Sequence, residues 1–181
     1  MTRSSIGELF PHVLAAAQAG AGWAAERLWR SLAPAVTGYL RLQGAAEPED
    51  LASETFVGVF GGLASFTGTE AGFRSWVFTI AHRRLVDERR RAARQPMPAG
   101  PRTAPPAEEL ALGRLGARHV EELCRRLVPD QRDVLLLRLV AALTVEEAAA
   151  VLGKSAGAVK ALQRRGLAAV RRAMSLEGVP L

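Results

Sequence analysis

Apolar residues recur at helical spacing along almost the whole chain, and no stretch alternates as a strand would. The pattern predicts a first helix over Ile6 to Ala19, with Leu9, Val13 and Leu14 on one side. A second is predicted over Gly22 to Gln43, where Leu28, Leu32, Val36, Tyr39 and Leu40 form one stripe. Pro34 falls inside it and should kink or divide it. A third runs from Glu49 to Leu63, opened by Pro48, Glu49 and Asp50, which suit a helix N-terminus. Its inward set is Leu51, Phe56, Val59, Phe60 and Leu63. Residues 64–72 are rich in turn formers and read as a loop. A fourth helix is predicted over Phe73 to Arg94, with Phe73, Trp76, Val77, Ile80 and Leu85 inward and Trp76 and Phe78 expected in the core.

Periodicity fails between Gln95 and Pro106, where five prolines mark an extended, semi-stiff linker. It resumes near Ala107. A helix over Ala117 to Leu127 ends at Val128-Pro129, and Pro129 opens the next. There Val134, Leu135, Leu137, Leu139 and Val140 should pack on the two helices after it. The expected fold class is all-α: two small helical domains joined by a Pro-rich linker. The expected boundaries are 1–94, 95–117 for the flexible linker, 118–175, and a frayed tail at 176–181.

The stretch Leu143 to Arg165 carries the strongest local signal. Thr144 followed three residues later by Glu147 forms a capping box, and Leu143 with Ala148 is placed as a hydrophobic staple. Gly153 suits the left-handed backbone of a helix end. Ser155 then caps a second helix with Val159 and Leu162 inward and Lys160, Arg164 and Arg165 outward. Two short helices with small residues at the turn make a helix-turn-helix, whose second helix can enter a DNA major groove. An ordinary pair of core helices would show the same local pattern. Charge favours the first reading, because every charged residue from Lys154 to Arg172 is basic.

The formal charge of +6 comes almost wholly from arginine, and the isoelectric point is near 10.8. It is unevenly placed: residues before 60 are slightly acidic, whereas 83–94 and 154–172 are strongly basic. This distribution implies a polyanionic partner, and nucleic acid suits it better than a membrane surface. Apolar residues make up 49% of the chain, enough for real cores. The most apolar stretch, Val134 to Val145, is interrupted by Arg138 and too short to span a bilayer. No signal peptide is expected. One cysteine, Cys124, excludes an internal disulfide and reads as a buried small apolar residue. Three separated histidines give no expected metal site, and no phosphate-binding Gly loop or nucleophile–base set appears. Neither cofactor nor catalysis is expected, and a cytoplasmic location fits.

Two stretches in this order resemble the compact, extracytoplasmic-function group of bacterial sigma-70-type transcription initiation factors. The N-terminal resemblance lies in LWRSLAPAVTGYLR, PEDLASETFVGVFGGLASF and FRSWVFTIAHRRLVDERRR, roughly Leu28 to Arg94. The C-terminal one lies in LVPDQRDVLLLRLVAALTVEEAAAVLGKSAGAVKALQRRGLAAVRR, roughly Leu127 to Arg172. The family carries these as region two and region four.

On pattern alone, Asp50 and Glu54 form a solvated helix face and the arginines after Arg83 favour a helix C-terminus. The resemblance implies more. Core RNA polymerase, through its clamp coiled coil and flap, becomes the expected protein partner, with Asp50, Leu51, Ser53, Glu54 and Phe56 at the interface. Promoter DNA becomes the other partner. Phe66, Thr67, Phe73, Arg83, Arg84 and Arg90 would serve the minus-ten element, where a base leaves the stack. Ser155, Ala158, Lys160, Arg164 and Arg165 would serve the minus-thirty-five element. The linker would thread toward the polymerase cleft, an anti-sigma factor is a further expected partner, and His82 has no special role. The chain departs from the family pattern at Ser53, Ala158 and Lys154. The rival reading is a stand-alone helix-turn-helix regulator whose residues 1–94 bind a ligand or dimerise.

Overall fold

The computed structural model describes residues 5–94 and 111–176, with side chains described throughout except at 111–117 and 176. Among the described residues it holds eight α-helices, two short 3-10 turns and no strand. The first domain contains α1 (Phe10–Gln18), α2 (Gly22–Gln43), α3 (Pro48–Gly62) and α4 (Glu70–Arg94). The second contains α5 (Ala111–Arg126), α6 (Pro129–Leu139), α7 (Val145–Leu152) and α8 (Ala156–Leu176).

In the first domain α2 is the central beam, packed on α1, α3 and α4. Its predicted stripe, Leu28, Leu32, Val36, Tyr39 and Leu40, is buried throughout. Pro34 does not divide it, because the helix runs unbroken to Gln43 and stops where Gly44 turns left-handed at φ 82°. Helix α4 starts one turn earlier than the pattern implied. Thr69 accepts the Gly72 N–H on its Oγ1 and the Phe73 N–H on its carbonyl, acting as the cap. The predicted first helix is shorter: residues 7–9 form a 3-10 turn, and Leu9 points to solvent rather than inward.

The second domain packs α6 and α7 against α8. Within the segment 95–117 expected as linker, α5 is already helical from Ala111; residues 95–110 lie outside the described residues. Cys124 is buried, and burial raises its thiol pKa. Leu139 is a correction. It is 67% exposed on the outer side of α6, while Val134, Leu135 and Leu137 fill the core. Gly166 explains how tightly α8 lies on α6: a Cβ there would fall 2.9 Å from Leu135 Cδ1.

The two domains meet, α2 against α5 and α6, and α4 against α7. Gln43, the last residue of α2, is the hub of that contact. Its side-chain nitrogen donates to Asp133 Oδ1 at 2.8 Å. Its carbonyl and Oε1 accept from Arg89 of α4 at 2.7 and 2.9 Å. Arg132 of α6 adds a longer bond to the same carbonyl, 3.5 Å. The amide orientation is fixed by chemistry, because the flipped form would aim its oxygen at a carboxylate and its NH2 at a guanidinium. Beneath it, the Tyr39 hydroxyl lies 2.9 Å from His82 Nδ1. Burial, with the Asp133 charge nearby, raises the Tyr39 pKa, so the phenol stays protonated. Burial also depresses the His82 pKa, with Asp133 opposing and Arg89 assisting.

Candidate nucleic-acid and protein interfaces

Helix α3 divides its residues between core and solvent. Leu51, Thr55, Phe56 and Val59 are buried, and the Thr55 hydroxyl is spent on the Leu51 carbonyl at 2.8 Å. At about 100° per residue, Asp50, Glu54 and Val57 share one outward stripe. All three are exposed, and Val57 at 73% is the most exposed large apolar residue among those described. Two acids followed one turn on by an exposed apolar residue suit a basic protein surface better than they suit water. Each end of this face is tied to an arginine. Arg41 pairs with Glu49, and Arg84 pairs with Glu54 at 3.3 Å. Ser53 is exposed, with its hydroxyl donating back to the Glu49 carbonyl.

The segment between α3 and α4 is braced from outside. Gln18, ending α1, donates both amide hydrogens to it, to the Leu63 and Phe66 carbonyls at 3.0 and 2.8 Å. Glu70, opening α4, accepts from the Ile6 and Gly7 N–H groups and from the Ser5 hydroxyl at 2.8–2.9 Å. Partial burial alone would raise the Glu70 pKa. Those bonds and the Arg74 charge outweigh it and hold the carboxyl below its ordinary range. Held between these braces, Phe66 stacks on Trp76 with ring centres 5.1 Å apart and meets Phe73 edge-on. Gly62 makes room for this, since a Cβ there would come within 3.0 Å of Trp76. The result is a half-exposed aromatic shelf with Thr67 beside it, and a shelf of that kind can receive a nucleobase by stacking. Arg83 and Arg90 are exposed further along α4.

In the second domain the local code is realised as read. Thr144 accepts from Glu147 N and the Glu147 carboxylate takes the Thr144 N–H, completing the capping box. Leu143 and Ala148 are both buried as the staple requires. Gly153 turns left-handed at φ 62°, and Ser155 Oγ caps α8 by accepting from Ala158 N. Val159 anchors α8 inward. Lys160, Arg164 and Arg171 are exposed and line one basic depression with Arg138 and Gln163. Helical phase places those three cations within about 40° of one another. Lys154 is different: it pairs with Asp130 at 3.1 Å and ties the turn to α6.

Two family matches decide what these faces belong to. The model for Sigma-70 region 2 matches residues 28–95, and that for Sigma-70 region 4 matches 125–172. The ECF RNA polymerase sigma factor ShbA of Streptomyces griseus is 37% identical over 132 residues, covering 68% of this chain and 69% of ShbA. The chain belongs to the ECF sigma factors.

BldN of Streptomyces coelicolor, another ECF sigma factor, is 34% identical over 166 residues, which is 86% of this chain and 62% of BldN. The solved structure of CnrH in complex with the cytosolic domain of CnrY overlays with a TM-score of 0.69 at 25% identity, covering 91% of this chain and 96% of CnrH. As a sigma factor, the protein acts with RNA polymerase in promoter recognition and transcription initiation. No helix among the described residues is long and apolar enough to cross a membrane.

Within this sigma factor the expected site residues fall into two sets. Asp50, Ser53, Glu54, Thr67, Arg83, Arg90, Ser155, Lys160, Arg164 and Arg165 are exposed. Leu51, Phe56 and Phe73 are not available for direct contact, because each is buried in the core of the first domain. Phe73, 1% exposed, supports Phe66 from below instead. Ala158 is half-buried beside the cap. Arg84 is half-buried and committed to Glu54, so it joins the acidic face of α3 to the basic face of α4. Arg165 points away from the Lys160–Arg164–Arg171 stripe by more than about 90°. Sequence reading missed Val57 as a face residue, although helical phase from Asp50 indicates it. It also missed Gln18, Glu70 and His82, whose partners lie 43 to 65 residues away along the chain.

Proposed function

We infer that the protein binds core RNA polymerase through the α3 stripe of Asp50, Glu54 and Val57. It then reads the minus-ten element with the Phe66–Thr67 shelf and the Arg83–Arg90 side of α4. The minus-thirty-five element falls to α8, with Lys160 and Arg164 nearest the bases and Arg171 on phosphate. The observation that carries this reading is that all three faces reach solvent, the Phe66 shelf half-exposed, while Leu51, Phe56, Phe73 and Val159 beneath them are buried. Taking a base out of the duplex costs a few kcal/mol, which stacking on the shelf can offset. Bond-making chemistry belongs to the polymerase, and the chain itself is not an enzyme. It works in the cytoplasm, where polymerase and promoters are. An anti-sigma factor is a further partner, in keeping with a structural relative held in a complex.

Charge reversal tests the polymerase face. Asp50→Arg with Glu54→Arg should abolish co-elution with core polymerase while leaving helicity and melting temperature close to wild type. Unchanged affinity would move the polymerase contact elsewhere.

A further inference from the structure

The start of α1 and the first half of α2 enclose a surface depression that the rest of the fold leaves open. Trp23, Arg27 and Arg30 line it from α2, and Ser5 and Ile6 close its other side. Positions 23, 27 and 30 are four and three apart, so they share one helical stripe. All three are exposed, Trp23 by 53%, although tryptophan is on average a well-buried residue. Its indole leans on the His12 ring, with centres 6.3 Å apart, and the rest of it faces solvent. Arg27 has neither an ion pair nor a hydrogen bond among the described residues. Arg30 pairs with Glu26 at 2.7 Å, but both side chains are more than half exposed, so the pair can exchange for another anion at little cost.

The depression is joined to the aromatic shelf by the brace that holds the shelf in place. Glu70, three residues after Thr67, binds the Ser5 hydroxyl and the Ile6 N–H, and Ser5 and Ile6 are part of the lining. The aromatic floor runs the same way. Phe66 meets Phe73 at 5.4 Å, and Phe73 meets Phe10, in the first turn of α1, at 5.7 Å. His12 follows two residues later, with Trp23 against it. A strand with one base stacked at Phe66 therefore needs only a few nucleotides to reach Trp23, well inside the roughly 4–16 that one single-strand-binding domain covers. A ring that takes a base face beside a guanidinium that takes a phosphate is the chemistry of single-strand binding. A protein partner would ask for more: Trp23 is the only exposed large apolar side chain in the lining, and charges rather than further apolar packing surround it.

We propose that Trp23 and Arg27 form a second stacking site for single-stranded promoter DNA, one that takes nucleotides adjoining the base held at Phe66 and so steadies the melted strand. The inference rests on the minus-ten reading of the shelf given above. It adds a site on α2, outside the α3–α4 segment that carries the shelf. Two stacking points on one strand cooperate, because the first holds the next bases at high effective concentration over the second. Phe66 and Thr67 supply sequence choice. Trp23 supplies residence time, since every base has a face to stack.

The test uses holoenzyme assembled from core polymerase and the full chain, with circular dichroism as the check that each variant folds. The probes are fluorescent single strands carrying the minus-ten sequence of a promoter that the holoenzyme selects. One strand ends at that element, and two others carry about six further thymidines at one end or the other. Wild type should bind one extended strand roughly 5- to 50-fold more tightly than the short one. That gain should vanish in Trp23→Ala and largely survive in Trp23→Phe, and Arg27→Ala should make it less salt-dependent. A wild type that gains nothing from either extension overturns the site, as does a Trp23→Ala loss that is equal on short and extended strands. Weaker co-elution of Trp23→Ala with core polymerase in the absence of DNA also overturns it, by making the patch a protein contact. Phe66→Ala tests the shelf separately. If that variant binds the short strand as wild type does, the shelf reading fails, and the extended strands still decide whether Trp23 takes single-stranded DNA.

Discussion

The two candidate DNA-reading surfaces are built in opposite ways. In the second domain the helix-turn-helix is held by neighbours in sequence: Thr144 with Glu147, Gly153 at the turn, Ser155 over Ala158. Small residues, Ala148 and Ala149, let the helices close on one another. In the first domain the aromatic shelf rests on irregular backbone that no local pattern could hold. Gln18 and Glu70 fasten it across 45 to 65 residues, and Phe10, Phe73 and Trp76 form the floor. A regular helix needs only caps to present a row of cations. A base pocket must be shaped, and shaping comes from distant parts of the chain.

The largest effect that would sharpen this contrast is Phe73→Ala. It removes the buried ring under Phe66 and should cost about 3–5 kcal/mol, read as a large fall in the first domain's melting temperature. Loss of only a few tenths would mean the shelf does not depend on that floor. Thr144→Ala removes the cap that organises the second domain. It should cost about 0.5–2 kcal/mol, and thermal unfolding of the variant measures it. Gln18→Ala should cost no more than about 1 kcal/mol, since the residue is exposed and its loss leaves the two carbonyls within reach of water. Promoter-directed transcription should nevertheless fall by more than its melting temperature suggests, because the loop carrying Phe66 loses both outside bonds. Equal, marginal losses in both assays would reduce Gln18 to a surface residue.

A smaller effect concerns pH. The depressed pKa of His82 means the folded protein binds fewer protons there than the unfolded chain. That contribution is fully present above about pH 6.5 and is lost as pH falls through the folded value. Glu70, also depressed, adds a separate loss at lower pH, below the ordinary glutamate range. Melting temperatures at about pH 5.5 and 7.5, either side of the ordinary histidine value, should therefore differ for wild type and converge for His82→Gln. An unchanged difference would place the titrating group elsewhere.

Legibility in the sequence divides along the same line. The bounds of α2, the α7 capping box, the Gly153 turn and the Ser155 cap were all readable, because each is fixed by residues within one or two turns of one another. The exposed acids of α3 and cations of α8 were readable from helical phase. Periodicity placed Phe56 and Phe73 inward while the resemblance placed them at binding surfaces; both are core, supporting the faces beside them rather than lining them. The Arg84–Glu54 pair, the Gln18 brace and the Gln43–Asp133 bond were not legible at all. Each joins residues on different helices, and nothing in one segment signals its partner.

Two separate faces of one chain are placed on one promoter only in the company of RNA polymerase; that is the central claim. The most direct measurement is transcription in vitro from a promoter library, using purified core polymerase with and without the purified chain. The expected result is new start sites that appear only when both are present. Lys160→Ala and Arg164→Ala should weaken them, and Arg171→Ala should make promoter binding less salt-dependent by about one unit of slope. Start sites identical with and without the chain, or tight operator binding by the chain alone, would contradict it.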